Sequence, residues 1–198
     1  MKMEFSKSLA PHTGKVFEKI SKLECIKPFT LAGGTALSLQ IKKRQSEDLE
    51  SVGHVANYEI ASLDYVTFDF EGVRLSFYAA PRKVIPSMQR IPYLNNLYLA
   101  DIESIGAMKM EAMLRRSQFR DYYDIYSILK EGKDIQKMID AALEHSNHKL
   151  RTRGLLAMLT NGRRFIKEKG FEELQPVYNV SATDIQEYIK QKLLEVKK

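Results

Sequence analysis

The segment Leu31–Glu50 (LAGGTALSLQIKKRQSEDLE) constrains the fold of this chain more than any other. The apolar run Phe29–Ala32 reads as a buried strand, and Gly33-Gly34 ends it in a tight turn. From Thr35 to Lys43 the placing of Ala36, Leu37, Leu39 and Ile41 is helical, with Thr35 the expected N-cap. Acidic residues follow on the next strand, where Asp48 and Glu50, two apart, share one face. The two glycines let the backbone approach a phosphate closely, and the helix behind them aims N–H groups and a positive dipole end at it. A phosphate cradle with a carboxylate pair able to hold a divalent cation is what metal-assisted nucleotidyl transfer requires.

The rest of the chain is organised around that segment. Val16, Phe17, Ile20 and Leu23 predict an amphipathic helix over 14–23, closed off by Pro28. Val66, Phe68 and Phe70, then Val73, Leu75 and Phe77, alternate with polar residues about Glu71-Gly72 and predict a hairpin with one buried face. The stretch 81–92 reads as a loop and 97–99 as a short strand. Beyond Asp101, a predicted cap, the pattern is helical. Ile102, Ile105, Met108, Ala112 and Met113 form a stripe; further helices are expected at 119–129, ending at Gly132, and at 134–144, 150–169 and 183–198. Thr183 and Gln186 have capping-box spacing. Strands early and helices late predict an α+β fold: a small mixed β-sheet with flanking helices over 1–100, and a helical region over 101–198 that completes the cleft.

Composition excludes several classes. With 44% apolar and 28% charged residues in 198, the chain is neither disordered nor membrane-spanning, since no run approaches ~20 apolar residues. The N-terminal stretch lacks an apolar signal core, so a cytoplasmic location is expected. Cys25 is the single cysteine, which rules out an internal disulfide; its context reads as a buried thiol. The net charge of +6 favours polyanionic partners such as nucleotide or RNA. Basic residues gather at Lys42, Lys43 and Arg44, at Arg115 and Arg116, and at Arg151, Arg153, Arg163, Arg164, Lys167 and Lys169; a solvated basic surface accounts for them equally. His145 and His148 lie three apart in a polar helix end with no third ligand in view.

The spacing apolar-Gly-Gly, about a dozen residues, then Asp-apolar-acidic resembles the nucleotidyltransferase superfamily signature. GGTALSLQ with RQSEDLE, then GVRLSFY, then ADIESIGAMKMEAMLRRSQFRDYYDIYSIL, resembles the AbiEii/AbiGii nucleotidyltransferase toxin family from about Phe29 to Leu129. The resemblance implies transfer of a nucleotide from an NTP with Mg²⁺, an RNA (such as tRNA) or protein acceptor, and a separately encoded antitoxin. It implies that Asp48 and Glu50 hold the metal, Gly33, Gly34 and Thr35 the phosphates, and Lys109 the triphosphate. Asp121 or Asp124, behind Arg120, then orients the acceptor or Lys109. Lys109, Met113, Arg116 and Arg120 recur at helical spacing, so one helix running that far presents a basic face to the triphosphate, and all these groups are expected to share one cleft. The bland alternative makes Lys109 and Arg116 surface residues paired with Asp121 or Asp124. Three features depart from the family pattern: Glu50 stands where an aspartate is usual, Ser76 stands at the place of a third carboxylate, and the interval after Asp48 is short. Ser76 and the short interval favour the second reading, a catalytically degenerate module that binds nucleotide, RNA or a protein partner without turnover.

Overall fold

A computed structural model describes residues 7–53, 65–79, 88–146 and 150–196, and the chain falls into two compact units, 1–101 and 102–198.

The first unit holds a six-stranded mixed sheet. Its strands are β1 (Phe29–Ala32), β2 (Leu49–Gly53), β3 (Tyr65–Phe70), β4 (Val73–Ala79), β5 (Arg90–Leu94) and β6 (Leu97–Ala100), in the order β3-β4-β2-β1-β6-β5. β1 runs antiparallel to β2 and parallel to β6, and β2 runs parallel to β4. The predicted hairpin is β3–β4; Glu71 and Gly72 both have positive φ, the requirement of a type I′ turn, and Gly72 N–H donates to Asp69 Oδ1 at 3.1 Å. Val73 and Leu75 face the core, whereas Phe70 is 43% exposed. β5 takes up Arg90 to Leu94, so the expected loop over 81–92 ends sooner; 80–87 lie outside the described residues.

Helix α1 (Pro11–Ser21) begins three residues earlier than predicted because Pro11 supplies the preset φ of a first helical turn. Helix α2 (Gly33–Ile41) likewise begins before Thr35: its N-cap is Ala32, and the buried Thr35 hydroxyl turns elsewhere. Cys25 is exposed, on a 3₁₀ turn (Glu24–Ile26), which corrects the expectation of a buried thiol; only Ile26 of that turn is buried.

The second unit is helical: α3 (Ile102–Ala112), α4 (Phe119–Lys130), α5 (Ile135–His145), α6 (Thr152–Leu159) and α7 (Ala182–Val196). Along α4 every residue from Asp121 to Leu129 is buried, so this helix is the core of the unit. Tyr122 stacks on Phe165 at 4.2 Å between ring centroids and donates its hydroxyl to Leu159 O at 2.6 Å. Gly132, with φ +78°, follows α4 as predicted, and Asp134 caps α5 by accepting from the N–H groups of Gln136 and Lys137. Two expectations fail here. The helix expected over 150–169 stops at Leu159: the Gly162 N–H leaves the helical ladder and donates to Gln186 Oε1. The box that starts α7 is Ser181 with Asp184, each accepting from the other's N–H, while Gln186 instead accepts from Gly162 N–H at 2.8 Å. Among the described residues no helix is long and apolar enough to cross a membrane.

Candidate functional site

The sequence-predicted site residues fall into two groups, one in each unit. In the first, β1 delivers the chain to Gly33, whose φ of +65° turns it directly into α2. The connection back to β2 is fastened onto α2: Lys42 ends the helix in the left-handed region, and Thr35 Oγ1 donates to the Asp48 carbonyl and is hydrogen-bonded with Ser46 Oγ at 2.9 Å. Thr13 Oγ1 holds the Glu47 carbonyl at 3.0 Å, and Ser46 N–H reaches Ser8 O at 2.9 Å. Thr35 is therefore a clamp on the segment carrying Asp48 rather than a helix cap. Asp48 is the residue before β2, and Glu50 lies within it, paired with Ala32 on one side and Ser76 on the other. Residues in register on neighbouring strands share a face, so Ser76 stands next to Glu50 where a third carboxylate was looked for. Ser76 is buried, its hydroxyl 3.2 Å from Thr67 Oγ1.

The glycine turn has opposite charges on its two residues. The Glu50 carboxylate lies in the place of a side chain at Gly33, while Arg44 Nη2 comes within 2.7 Å of the position a Gly34 β-carbon would take. Both half-buried carboxylates, Asp48 and Glu50, lack a hydrogen-bond or ion-pair partner among the described residues. Two such oxygen donors fit Mg²⁺, which takes one or two protein carboxylates and completes its shell with water and substrate phosphate. No group of three or more metal-ligating side chains stands together among the described residues.

In the second unit, α3 and α4 bring Lys109, Asp121 and Asp124 together. Lys109 Nζ lies 2.7 Å from Asp121 Oδ1 and 2.9 Å from Asp124 Oδ2. The i, i+3 spacing of the two aspartates sets both on one face of α4, as the sequence indicated. The bland alternative is right about the pairing and wrong about the surface, since Lys109, Asp121 and Asp124 are all buried. Nor does a single helix carry the four basic-face positions: α3 ends at Ala112, and Arg116 lies in the connection to α4, from which its Nε reaches Asp121 Oδ2 at 2.8 Å. Arg120 Nε donates to Gln118 Oε1 at 3.1 Å. Burial pushes the Asp121 carboxyl up, but the Lys109 ammonium and the Arg116 guanidinium outweigh it, and the group sits below the ordinary aspartate range.

The basic residues of the C-terminal half sort by partner. Arg115 pairs with Glu111, Lys167 with Glu172, and Arg164 reaches Ser117 Oγ. Arg151, Arg153 and Arg163 are exposed and have no such partner among the described residues. Arg151 and Arg153 edge an open groove of about 560 Å³ floored by Leu114, Leu150, Ala157 and Met158. His145 Nε2 sits 3.0 Å from Glu111 Oε2, a structural contact that holds the Glu111 carboxyl low against its burial; His148 lies outside the described residues.

Arg44 is the residue that sequence reasoning missed. With Lys42 and Lys43 it formed a basic cluster that a polyanionic partner and a solvated surface explain equally, yet Arg44 is buried.

The chain is 20% identical over 203 aligned residues to the uncharacterized protein aq_aa25 of Aquifex aeolicus (strain VF5), covering 91% of this chain and 94% of that one. It is similar to the crystal structure of JHP933 from Helicobacter pylori at a TM-score of 0.39 and 16% identity, over 96% of this chain and 98% of that one. The family described as "Nucleotidyl transferase AbiEii toxin, Type IV TA system" matches residues 60–191, a stretch that takes in Lys109, Asp121 and Asp124 and begins beyond Gly33 and Asp48. With more than half of its length matched, the chain belongs to the AbiEii nucleotidyl transferase toxin family.

Proposed function

We propose that this protein transfers a nucleoside monophosphate from an NTP to an RNA or protein acceptor in a Mg²⁺-dependent reaction, and that it acts as the toxin of a pair with a separately encoded antitoxin. The observation that carries this reading is the pair of half-buried carboxylates without protein partners, Asp48 and Glu50, with Glu50 laid across the Gly33–Gly34 turn at the start of α2. A carboxylate left unpaired in a fold is costly and is retained where a cation completes it.

In this reading the N–H groups of the first turn of α2 receive phosphate oxygens. Asp48 and Glu50 are the protein ligands of Mg²⁺, which when bound neutralises triphosphate charge. An acceptor hydroxyl attacks the α-phosphorus, the bond to the β-phosphate oxygen breaks, and pyrophosphate leaves. Of the two roles open to Asp121 and Asp124, the ion pairs favour holding Lys109 over orienting the acceptor. An RNA acceptor such as tRNA is supported by Arg151 and Arg153, unpaired at the edge of an apolar groove on which a base can lie.

The second reading, a nucleotide-, RNA- or protein-binding module without turnover, has Ser76 in its favour, since this neutral side chain occupies the sheet position beside Glu50. Incubating the protein with each α-labelled NTP, Mg²⁺ and total RNA separates the two. Label in RNA or protein supports transfer, and nucleotide binding with no label transferred from any of the four NTPs supports the binding module.

A further inference from the structure

Strand register sets a row of oxygen-bearing side chains beside the carboxylate pair. Glu50 on β2 pairs with Ser76 on β4, and Ser76 pairs with Thr67 on β3, so all three share one face of the sheet. Neighbouring strands lie about 4.8 Å apart, which brings the Ser76 side chain alongside that of Glu50. Ser76 is 7% exposed, whereas Thr67, one strand further out, is exposed.

The two hydroxyl oxygens are 3.2 Å apart, and neither has another side-chain hydrogen-bond partner among the described residues. Either can donate in this contact, but only one direction gives both protons an acceptor. Were Thr67 the donor, the Ser76 proton would be buried with nothing to receive it. With Ser76 the donor, the exposed Thr67 hydroxyl gives its own proton to water. That direction leaves the lone pairs of Ser76 Oγ unspent, buried beside a carboxylate that also lacks a partner. Acceptor oxygens gathered without a donor among them suit a hard cation, and serine and threonine hydroxyls ligate Mg²⁺ in phosphoryl-transfer sites.

We infer that Ser76 Oγ is a third protein oxygen of the Mg²⁺ site, beside Asp48 and Glu50, and that Thr67 is a positioning residue that takes the Ser76 proton and so turns its lone pairs to the cation. This rests on the reading of Asp48 and Glu50 as the metal pair. A neutral oxygen at position 76 leaves the ion balanced by those two carboxylates alone, and adds no repulsion against triphosphate.

The test is binding of Mn²⁺, which takes the same oxygen ligands as Mg²⁺, to the full chain without nucleotide, read by electron paramagnetic resonance of the free ion. Ser76→Ala should weaken Mn²⁺ binding by about 10-fold, and Asp48→Asn at least as much. Thr67→Val keeps the shape but removes the acceptor of the Ser76 proton; it should weaken binding less, and Thr67→Ser should restore it. Equal Mn²⁺ affinity in wild type and Ser76→Ala overturns the role of Ser76 while leaving the Asp48–Glu50 site standing. Equal affinity in wild type and Thr67→Val overturns the positioning role of Thr67. Absence of Mn²⁺ binding by wild type, or binding that Asp48→Asn leaves unchanged, overturns the whole site. If Ser76→Ala does not melt cooperatively, Ser76→Cys decides, because a thiolate ligand prefers a soft ion. Cd²⁺ should then displace Mn²⁺ at about 10-fold lower concentration than from wild type, in which the exposed Cys25 is equally present. Displacement at the same concentration in both proteins overturns the role of Ser76.

Discussion

The Glu50 carboxylate rests on the α-carbon of Gly33, filling the place where any other residue at 33 would put its side chain. β2 supplies Glu50 and the β1–α2 junction supplies Gly33, so the antiparallel pairing of these strands, which sets Ala32 opposite Glu50, is what brings the two together. The relationship gives a direct expectation. Gly33→Ala should cost about 1–2 kcal/mol from the left-handed backbone and about 1–3 kcal/mol more from displacing the carboxylate. Glu50→Asp, one methylene shorter, should relieve the second part. A double-mutant cycle by thermal melting checks this: coupling of about 0.5–3 kcal/mol is expected, and strict additivity contradicts it.

The Lys109 cluster should behave as a buried charge network. Asp121→Asn removes one of the two carboxylates on the ammonium and should destabilise the protein by about 3–5 kcal/mol at neutral pH. Because the folded Asp121 carboxyl lies below its unfolded value, its contribution is present above about pH 3.9 and is lost as pH falls through the folded value. The gap in melting temperature between wild type and Asp121→Asn should therefore narrow on acidification from neutral pH toward pH 2. A gap that stays constant would contradict the pairing.

Thr35 links α2 to the segment bearing Asp48. Thr35→Val keeps the shape and removes the hydroxyl that donates to the Asp48 carbonyl, leaving that carbonyl without its donor. A loss of about 1–3 kcal/mol is expected, and Thr35→Ser should recover most of it. Chemical denaturation at matched m-values measures both, and a Thr35→Val variant as stable as wild type would show that the hydroxyl does not clamp this segment.

Much of this was legible in the sequence, and the reasons it failed elsewhere are local. β1, the β3–β4 hairpin and α4 follow from short, unbroken apolar or alternating runs that tolerate only one period. Arg116 was put on the wrong element because Lys109, Met113, Arg116 and Arg120 keep helical spacing across a break at Ala112 that no Gly or Pro announces. The box of α7 lies two residues earlier than expected: Thr183 and Gln186 fit the spacing, but Ser181 and Asp184 fit it as well and close it reciprocally. Arg44 was unreadable for a different reason. Nothing in a run of three basic residues says which one a loop will fold inward, since this depends on the hydrogen bonds of Thr35 and Ser8 to Ser46, contacts remote in sequence.

The central claim is that Asp48 is a metal ligand in nucleotidyl transfer, and the rate of label transfer from α-labelled NTP to RNA or protein by wild type and Asp48→Asn tests it most directly. Asp48→Asn preserves the shape and the backbone carbonyl that Thr35 holds, so the two proteins should melt alike. Transfer should fall by about 10²–10³-fold or more, the scale of losing one electrostatic stabiliser of the transition state, while NTP binding falls far less. Equal transfer rates for the two proteins would contradict the account.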